Sequence, residues 1–283
     1  MTTKLILVEG TWGAGKTTTA TFIQNTLEQR KIKSRLYTEG CLDHPVDPDH
    51  VSCFSHAGYD EILESYPDES EQIRKMTYRI GSYFLIPFLK MKRKNEHVIP
   101  EELWARLQSS DIYNGDLSQY LHCKVVLELW DHFATVQHEK DEVIVLECCF
   151  LQNPVVTLMA RYGPEKHQIF QHIQNISQTI RKLNPIVIYL QHESTEATFE
   201  RAIHERSKEW IEGVSKYCME RGYAKKHGLK GVPGLVQFLE EREKIELEIL
   251  RHLGFTVKHV NIYDDNKEQF QNEMMAYLDS HVF

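Results

Sequence analysis

Residues Gly10, Thr11, Trp12, Gly13, Ala14, Gly15, Lys16 and Thr17 read G-x-x-x-x-G-K-T. That order of residue types suits the binding of a run of phosphates. Glycines let backbone N–H groups turn inward around anionic oxygens. The lysine brings a mobile cation to the β- and γ-phosphates, and the hydroxyl that follows it holds Mg²⁺. Gly10 through Thr17, with Thr18 next in line, are therefore the expected residues for the phosphates of ATP or GTP, and Lys16 is also expected to act in catalysis. The motif carries this meaning only between a strand and a helix. Both are expected: residues 4–9 are mostly aliphatic, and Ala20, Ile23 and Leu27 recur at helical spacing across 17–30. The start of that helix adds its positive dipole end to the phosphate site.

Two carboxylates fall at the ends of further apolar runs. Glu39 follows a short expected strand at 34–38, and Glu147 lies inside the run EVIVLECC at 142–149. In a parallel sheet both strand ends point toward the phosphate loop. A carboxylate in an apolar strand is costly to bury unless it is paired or holds a cation. One of the two can take the proton of an attacking hydroxyl, and the other can hold Mg²⁺ directly or through water. Glu39, beside the variable loop, is assigned the proton; Glu147 is assigned the metal together with Thr17. Arg201, Arg206 and Lys208 recur near one face of a helix after the strand expected at 185–191. Beyond them, lysines alternate with Gly222, Gly228, Gly231 and Gly234, which suits a mobile lid over about 201–233. Arg201 and Arg206 would meet the ATP phosphates when it closes, with Arg206 acting on the transferred group.

Taken together, these motifs resemble the deoxynucleoside kinase and thymidylate kinase group of P-loop kinases. The stretch from Val8 to Thr18 is similar to the thymidylate kinase opening, which usually has Asp where Trp12 stands. Glu39 falls where deoxynucleoside kinases carry a general-base glutamate. Glu147 falls at the Glu of their Glu-Arg-Ser motif, which here reads Glu147-Cys148-Cys149 without the arginine. The pattern Arg201-x-x-x-x-Arg206-x-Lys208 is similar to the arginine-bearing lid of those kinases, with Lys208 in place of a last arginine. The likeness covers roughly 4–39, 142–210 and 235 to the end. It does not extend to the insertion or to 211–233, the kind of region from which this group builds its acceptor site. The resemblance implies an ATP- and Mg²⁺-dependent kinase of a nucleoside- or nucleotide-like acceptor. A kinase of another small molecule, such as an antibiotic or sugar, and a nucleotide-dependent switch both stay open.

The elements that must position these residues alternate between strands and helices. Strands are expected at 4–9, 34–38, 142–149, 185–191 and 256–262, and a last helix at about 267–278. This predicts an α/β fold: a P-loop three-layer fold with a five-stranded parallel sheet, a helical insertion and a lid. The whole of 1–283 reads as a single P-loop kinase domain. Residues 42–141 break the rhythm, with helices expected over 71–94, 101–109 and 117–137. Within the first of these, 83–91 reads as part of a buried helix. The insertion offers aromatic and basic candidates for an acceptor: Tyr83, Trp104, Tyr113, Trp130 and Phe133 for stacking on a ring, Arg74 and Arg79 for a phosphate. His44, His50 and His56 are spaced too irregularly for a metal site and read as a solvated loop.

Composition narrows the partners. Of 283 residues, 41% are hydrophobic, enough for a sizeable core, and the net charge of −8 argues against bulk nucleic-acid binding. No apolar run reaches the roughly 18 residues that span a bilayer, so no membrane partner is expected. Six cysteines without a Cys-x-x-Cys pair, and no secretory leader at the start, suit a reducing, cytoplasmic setting. Cys148 and Cys149 read as small core residues on their strand. The expected partner is a small-molecule acceptor; a homodimer stays open.

Overall fold

The computed structural model describes residues 3–94, 99–191, 194–261 and 267–282. Along the chain, β1 (Leu5–Gly10) runs through the glycine loop into α1 (Lys16–Gln29) and β2 (Ser34–Tyr37). There follow β3 (Val51–Phe54), α2 (His56–Ser65), α3 (Ser70–Met76), β4 (Tyr78–Ile80), β5 (Tyr83–Pro87), α4 (Phe88–Lys94), α5 (Glu101–Ser109) and α6 (Gln119–His138). Next come β6 (Val143–Glu147) and α7 (Gln152–Thr157), which continues into a π-helical turn, Leu158–Tyr162. After α8 (Lys166–Ile180) come β7 (Ile186–Gln191), α9 (Thr195–Glu205), α10 (Lys208–Met219), α11 (Gly222–Lys226), α12 (Gly231–His252), β8 (Thr256–Asn261) and α13 (Lys267–His281). The chain divides into two compact units, Met1–Glu39 with Ala134–Phe283, and Gly40–Phe133.

The first unit is built on a five-stranded sheet in the order β2-β6-β1-β7-β8. Every pairing in it is parallel. The chain leaves β1 on one side to form β2 and β6 and later crosses to the other side for β7 and β8. The carboxyl end of β1 is thus the switch point, where open α/β sheets bind ligands. The central strand is aliphatic on both faces because both are covered. Ile6 and Val8 join Ala20, Ile23 and Leu27 of α1 and Met274 and Leu278 of α13 in one core. Leu5 and Leu7, which point the other way, are equally inaccessible. This is the α/β P-loop fold expected from the alternation of elements, with a five-stranded parallel sheet flanked by helices.

The second unit is not wholly helical, as the insertion was expected to be. It contains a three-stranded antiparallel sheet in the order β3-β5-β4. Residues 83–91, read as buried helix, form β5 and the start of α4. The local reason is the dipeptide Gly81-Ser82, which joins β4 to β5 as a two-residue hairpin turn: Ile80 pairs with Tyr83, and Gly81 has φ 55°. Phe54, Ile62, Ile73, Phe88 and Leu103 anchor this unit's own core. No described helix is long and apolar enough to cross a membrane.

Gly10 marks the tightest point of the central sheet. A Cβ there would stand 2.3 Å from the carbonyl oxygen of Leu190 on β7, and its φ of 142° disfavours a side chain. Gly40, with φ 77°, has nothing within 4 Å of the same position. Gly40→Ala should therefore cost only the left-handed backbone, about 1 kcal/mol. Gly10→Ala, which must also displace a strand, should cost about 2 kcal/mol or more. Urea unfolding midpoints of the two variants check that order.

Candidate functional site

The glycine loop closes on itself before the helix begins. The Ala14 N–H bonds the Thr11 carbonyl at 3.2 Å, and Gly15 caps α1 in the left-handed conformation, φ 75°. Lys16 is only 6% exposed. Its ammonium donates to the Thr11 carbonyl at 2.6 Å, so the cation lies back across its own loop. One residue on, Thr17 Oγ1 donates to Glu147 Oε1 at 2.6 Å. Glu147 faces Val8 in the β1–β6 register, which is why the end of one strand meets the helix that starts after the other. The residues assigned to the metal from sequence, Thr17 and Glu147, are thus in direct contact.

The second carboxylate oxygen of Glu147, Oε2, is buried and has no hydrogen-bond partner among the described residues. A buried carboxylate oxygen of that kind is costly, and a hard cation beside the Thr17 hydroxyl would satisfy it. Mg²⁺ fits this donor set, because it takes one or two protein oxygens and completes its shell with phosphate oxygens and water. Among the described residues no group of three or more His, Cys, Asp or Glu side chains gathers to hold a metal alone.

The expected strand at 142–149 ends at Glu147. Cys148 turns the chain with φ 65°, a left-handed conformation unusual outside glycine, so both cysteines stand in the turn after the strand rather than on it, still buried. That turn is held by a residue not assigned a role from sequence. Glu9, fully buried at the end of β1, accepts the N–H of Phe150 at 2.8 Å through Oε1 and that of Gln152 at 3.0 Å through Oε2. Gln152, 1% exposed, in turn donates through Nε2 to Glu39 Oε1 at 3.2 Å. Glu39 itself is exposed at the end of the β2 segment. A chain of hydrogen bonds therefore connects the central strand, the turn after β6 and the candidate base. Burial pushes the Glu9 carboxyl up to about 7 from its ordinary 4.5; the backbone N–H bonds oppose the rise, and nearby Glu246 adds to it.

Trp12 connects the loop to the segment read as a lid. Its ring meets Trp210 of α10 edge to face, centroids 5.9 Å apart. The Arg206 guanidinium lies 5.6 Å from the centre of the Trp210 ring, the ring that meets Trp12 of the loop. Trp12 also has Arg242 of α12, 5.6 Å from the ring centre. Arg242 has no exposed side-chain surface; it donates to the Gly10 carbonyl at 3.2 Å and pairs with Glu246 at 3.2 Å. Glu246 accepts from the Tyr189 hydroxyl at 2.7 Å. Burial raises the Glu246 carboxyl, against the pull of Arg242.

The lid differs from its expected form. Arg206 sits at a break between α9 and α10, where Ser207 caps α10 by accepting from the Trp210 N–H, so Arg201, Arg206 and Lys208 do not share one helix. The Arg201 side chain lies outside the described residues. Residues 211–233 are largely helical, in α10, α11 and the first turn of α12, rather than an open glycine-rich loop. The remaining candidates belong to the second unit. Arg74 is exposed on α3, and Arg79, also exposed, donates to the Gly81 carbonyl at 2.9 Å. Tyr83 is half-buried under the Lys124 ammonium, and Trp104 packs edge-on against Phe88. Tyr113 and Trp130 are core side chains, 8% and 0% exposed, and Phe133 packs edge-on against Trp130. Among the histidines, His44 is not merely solvated: its ring Nδ1 accepts the Asp47 N–H at 2.9 Å, and burial pushes its pKa down to about 3.

No family model matches the chain. No curated protein matches it. Among solved structures, thymidylate kinase from Candida albicans is similar at 12% identity and a TM-score of 0.45, over 99% of this chain and 92% of that one.

The state of Glu9 gives the site a pH signature. Its folded-state pKa of about 7 lies above the ordinary 4.5, so folding takes up a proton between those values. The stability contributed by the neutral form is full below about pH 4.5 and is lost as pH rises through about 7, an effect on the order of 3 kcal/mol. Glu9→Gln, which cannot titrate, should lack this component. It should be the less stable protein at pH 4.5, with the gap to wild type narrowing or reversing by pH 8 in denaturant titrations across that range.

Proposed function

We propose that the chain is an ATP- and Mg²⁺-dependent phosphotransferase that passes the γ-phosphoryl group to a nucleoside- or nucleotide-like acceptor. The observation that carries this reading is the contact between Thr17 Oγ1 and Glu147 Oε1 at the mouth of a G-x-x-x-x-G-K-T loop, with the other Glu147 oxygen buried and unsatisfied. The resemblance of Glu39, Glu147 and the Arg206 segment to nucleoside and nucleotide kinases supports a small-molecule kinase, and the acceptor named is the one that resemblance implies. The free state of all six cysteines suits a reducing, cytoplasmic setting.

In this reading Lys16 exchanges the Thr11 carbonyl for phosphate oxygens. Thr17 and Glu147 hold Mg²⁺, which neutralises phosphate charge. Arg206, stacked near Trp210, which in turn meets Trp12 of the loop, meets charge that develops on the transferred group. Glu39 is exposed enough to meet an acceptor hydroxyl and is oriented by Gln152, so it takes the hydroxyl proton. Trp12 and Arg242 position the loop and do not react.

Transfer of radiolabelled γ-phosphate from ATP to a panel of nucleosides and nucleotides tests the activity. Lys16→Ala should lower the rate by about 10²–10³ with the fold retained; activity within a few-fold of wild type would remove the phosphate-loop assignment. The two carboxylates separate in a Mg²⁺ titration. Glu39→Gln should reduce kcat by about 10²–10⁴ at an unchanged Mg²⁺ requirement. Glu147→Gln should raise the Mg²⁺ concentration for half-maximal rate. The reverse pattern exchanges their roles, and full transfer by both variants rules out this pair as catalytic machinery.

A further inference from the structure

Trp12 is the one large apolar side chain between Gly10 and Thr17, at a position where the phosphate motif asks for no particular residue. Its ring is half-buried and has two neighbours outside the loop, Trp210 of α10 and Arg242 of α12. The two differ in freedom. Arg242 has no exposed surface and is held by the Gly10 carbonyl and by Glu246. Trp210 is half-buried in the first turn of α10, just after the break between α9 and α10. The four residues before it, Arg206, Ser207, Lys208 and Glu209, are all exposed. Further along, the Tyr217 hydroxyl donates to Thr157 Oγ1 at 3.2 Å and ties the middle of α10 to α7. A segment with few buried contacts gives way at lower free energy than a core. A displaced Trp12 ring therefore meets a fixed wall at Arg242 and a yielding one at Trp210.

The loop contains the cause of such a displacement. The Thr11 carbonyl accepts the Lys16 ammonium at 2.6 Å and the Ala14 N–H at 3.2 Å. The first bond is charge-assisted and the stronger of the two. A phosphate that takes Lys16 leaves this carbonyl with the weaker bond alone. The Thr11 carbonyl and the Trp12 N–H belong to one rigid peptide plane, so a carbonyl that swings carries the Trp12 backbone with it. The Trp12 ring then alters its edge-to-face contact with Trp210. Aromatic pairs favour a few defined geometries, so Trp210 follows the ring. The Arg206 guanidinium, 5.6 Å from the centre of the Trp210 ring, lies at the far end of this path.

We infer that Trp12 is a positioning residue that passes the filled state of the phosphate loop to Trp210 at the start of α10, and so to Arg206. This coupling rests on the phosphate site proposed above, and it readies Arg206 only when phosphate is present.

Fluorine NMR of fluorotryptophan-labelled protein tests it, with the four tryptophan signals assigned by single Trp→Phe variants and magnesium tripolyphosphate as the probe. Calorimetry under the same conditions shows when the loop is filled. Binding should shift the Trp12 and Trp210 signals. Trp12→Leu should bind the probe with about the affinity of wild type while its Trp210 signal stays in place. Should Trp12→Leu fail to fold, Trp12→Phe decides: its smaller ring should cut the Trp210 shift by about twofold or more. In phosphate transfer, Trp210→Leu should lower kcat by about 10–10², as misplacing a catalytic group does. Combined with Arg206→Ala, it should be no slower than Arg206→Ala alone. A Trp210 signal that ignores bound tripolyphosphate overturns the coupling. So does one that shifts as fully in the folded Trp12 variants as in wild type, or losses in kcat that multiply in the double variant. Absence of tripolyphosphate binding overturns the coupling and the phosphate site together. Binding that moves Trp210 through Trp12, with no acceptor phosphorylated, upholds the coupling and removes only the phosphotransferase reading.

Discussion

The site depends on one buried carboxylate. Glu9 stands at the end of the central strand with no access to water, and its two oxygens take the N–H groups that open the chain after β6. Those N–H groups would otherwise be orphans at the start of α7. By accepting them, Glu9 sets where β6 ends, and so where Glu147 meets Thr17 and where Gln152 meets Glu39. The cost is desolvation, which drives the carboxyl toward its neutral form at ordinary pH. The central strand therefore ends in a group whose burial works against its charge, at the point where the sheet changes direction.

A second buried network supports the same point from below. Arg242, Glu246 and Tyr189 lie away from water, and Arg242 reaches the Gly10 carbonyl while its guanidinium lies near the Trp12 ring. Buried ion pairs contribute little net stability, because desolvation offsets their attraction, but losing one partner leaves a charge stranded. The network's contribution is to geometry: it holds α12 against the start of the loop, and the loop against Trp210.

The sheet was legible because aliphatic runs alternated with helical spacing, and the loop because its residue types are constrained by phosphate. Glu147 was legible as a charge inside an apolar strand. Glu9 was equally an acid at the end of an apolar strand, but it stood immediately before the loop motif and was read only as part of the run leading into it. Gln152 and Arg242 carried no local signal, since an amide after a strand and an Arg–Glu spacing of four on a helix occur on any solvated surface. The hairpin at Gly81-Ser82 was hidden by the helical patterns on either side, although the dipeptide itself is a turn signal. The break at Ser207 was missed because basic residues recur across it, while Ser207 itself had the residue type of a helix cap.

The resting place of Lys16 has a consequence for selectivity. Its ammonium is nearly buried and already holds a peptide carbonyl at 2.6 Å. A ligand that reaches it does not strip water from a free cation; it competes with an oxygen of known basicity. Anions that are poor acceptors, such as chloride, gain nothing from that exchange, whereas a polyphosphate oxygen, more basic and more highly charged, does. In the function proposed above, the loop would thus discriminate among anions before any residue recognised the rest of the nucleotide, and it would do so through a bond within itself.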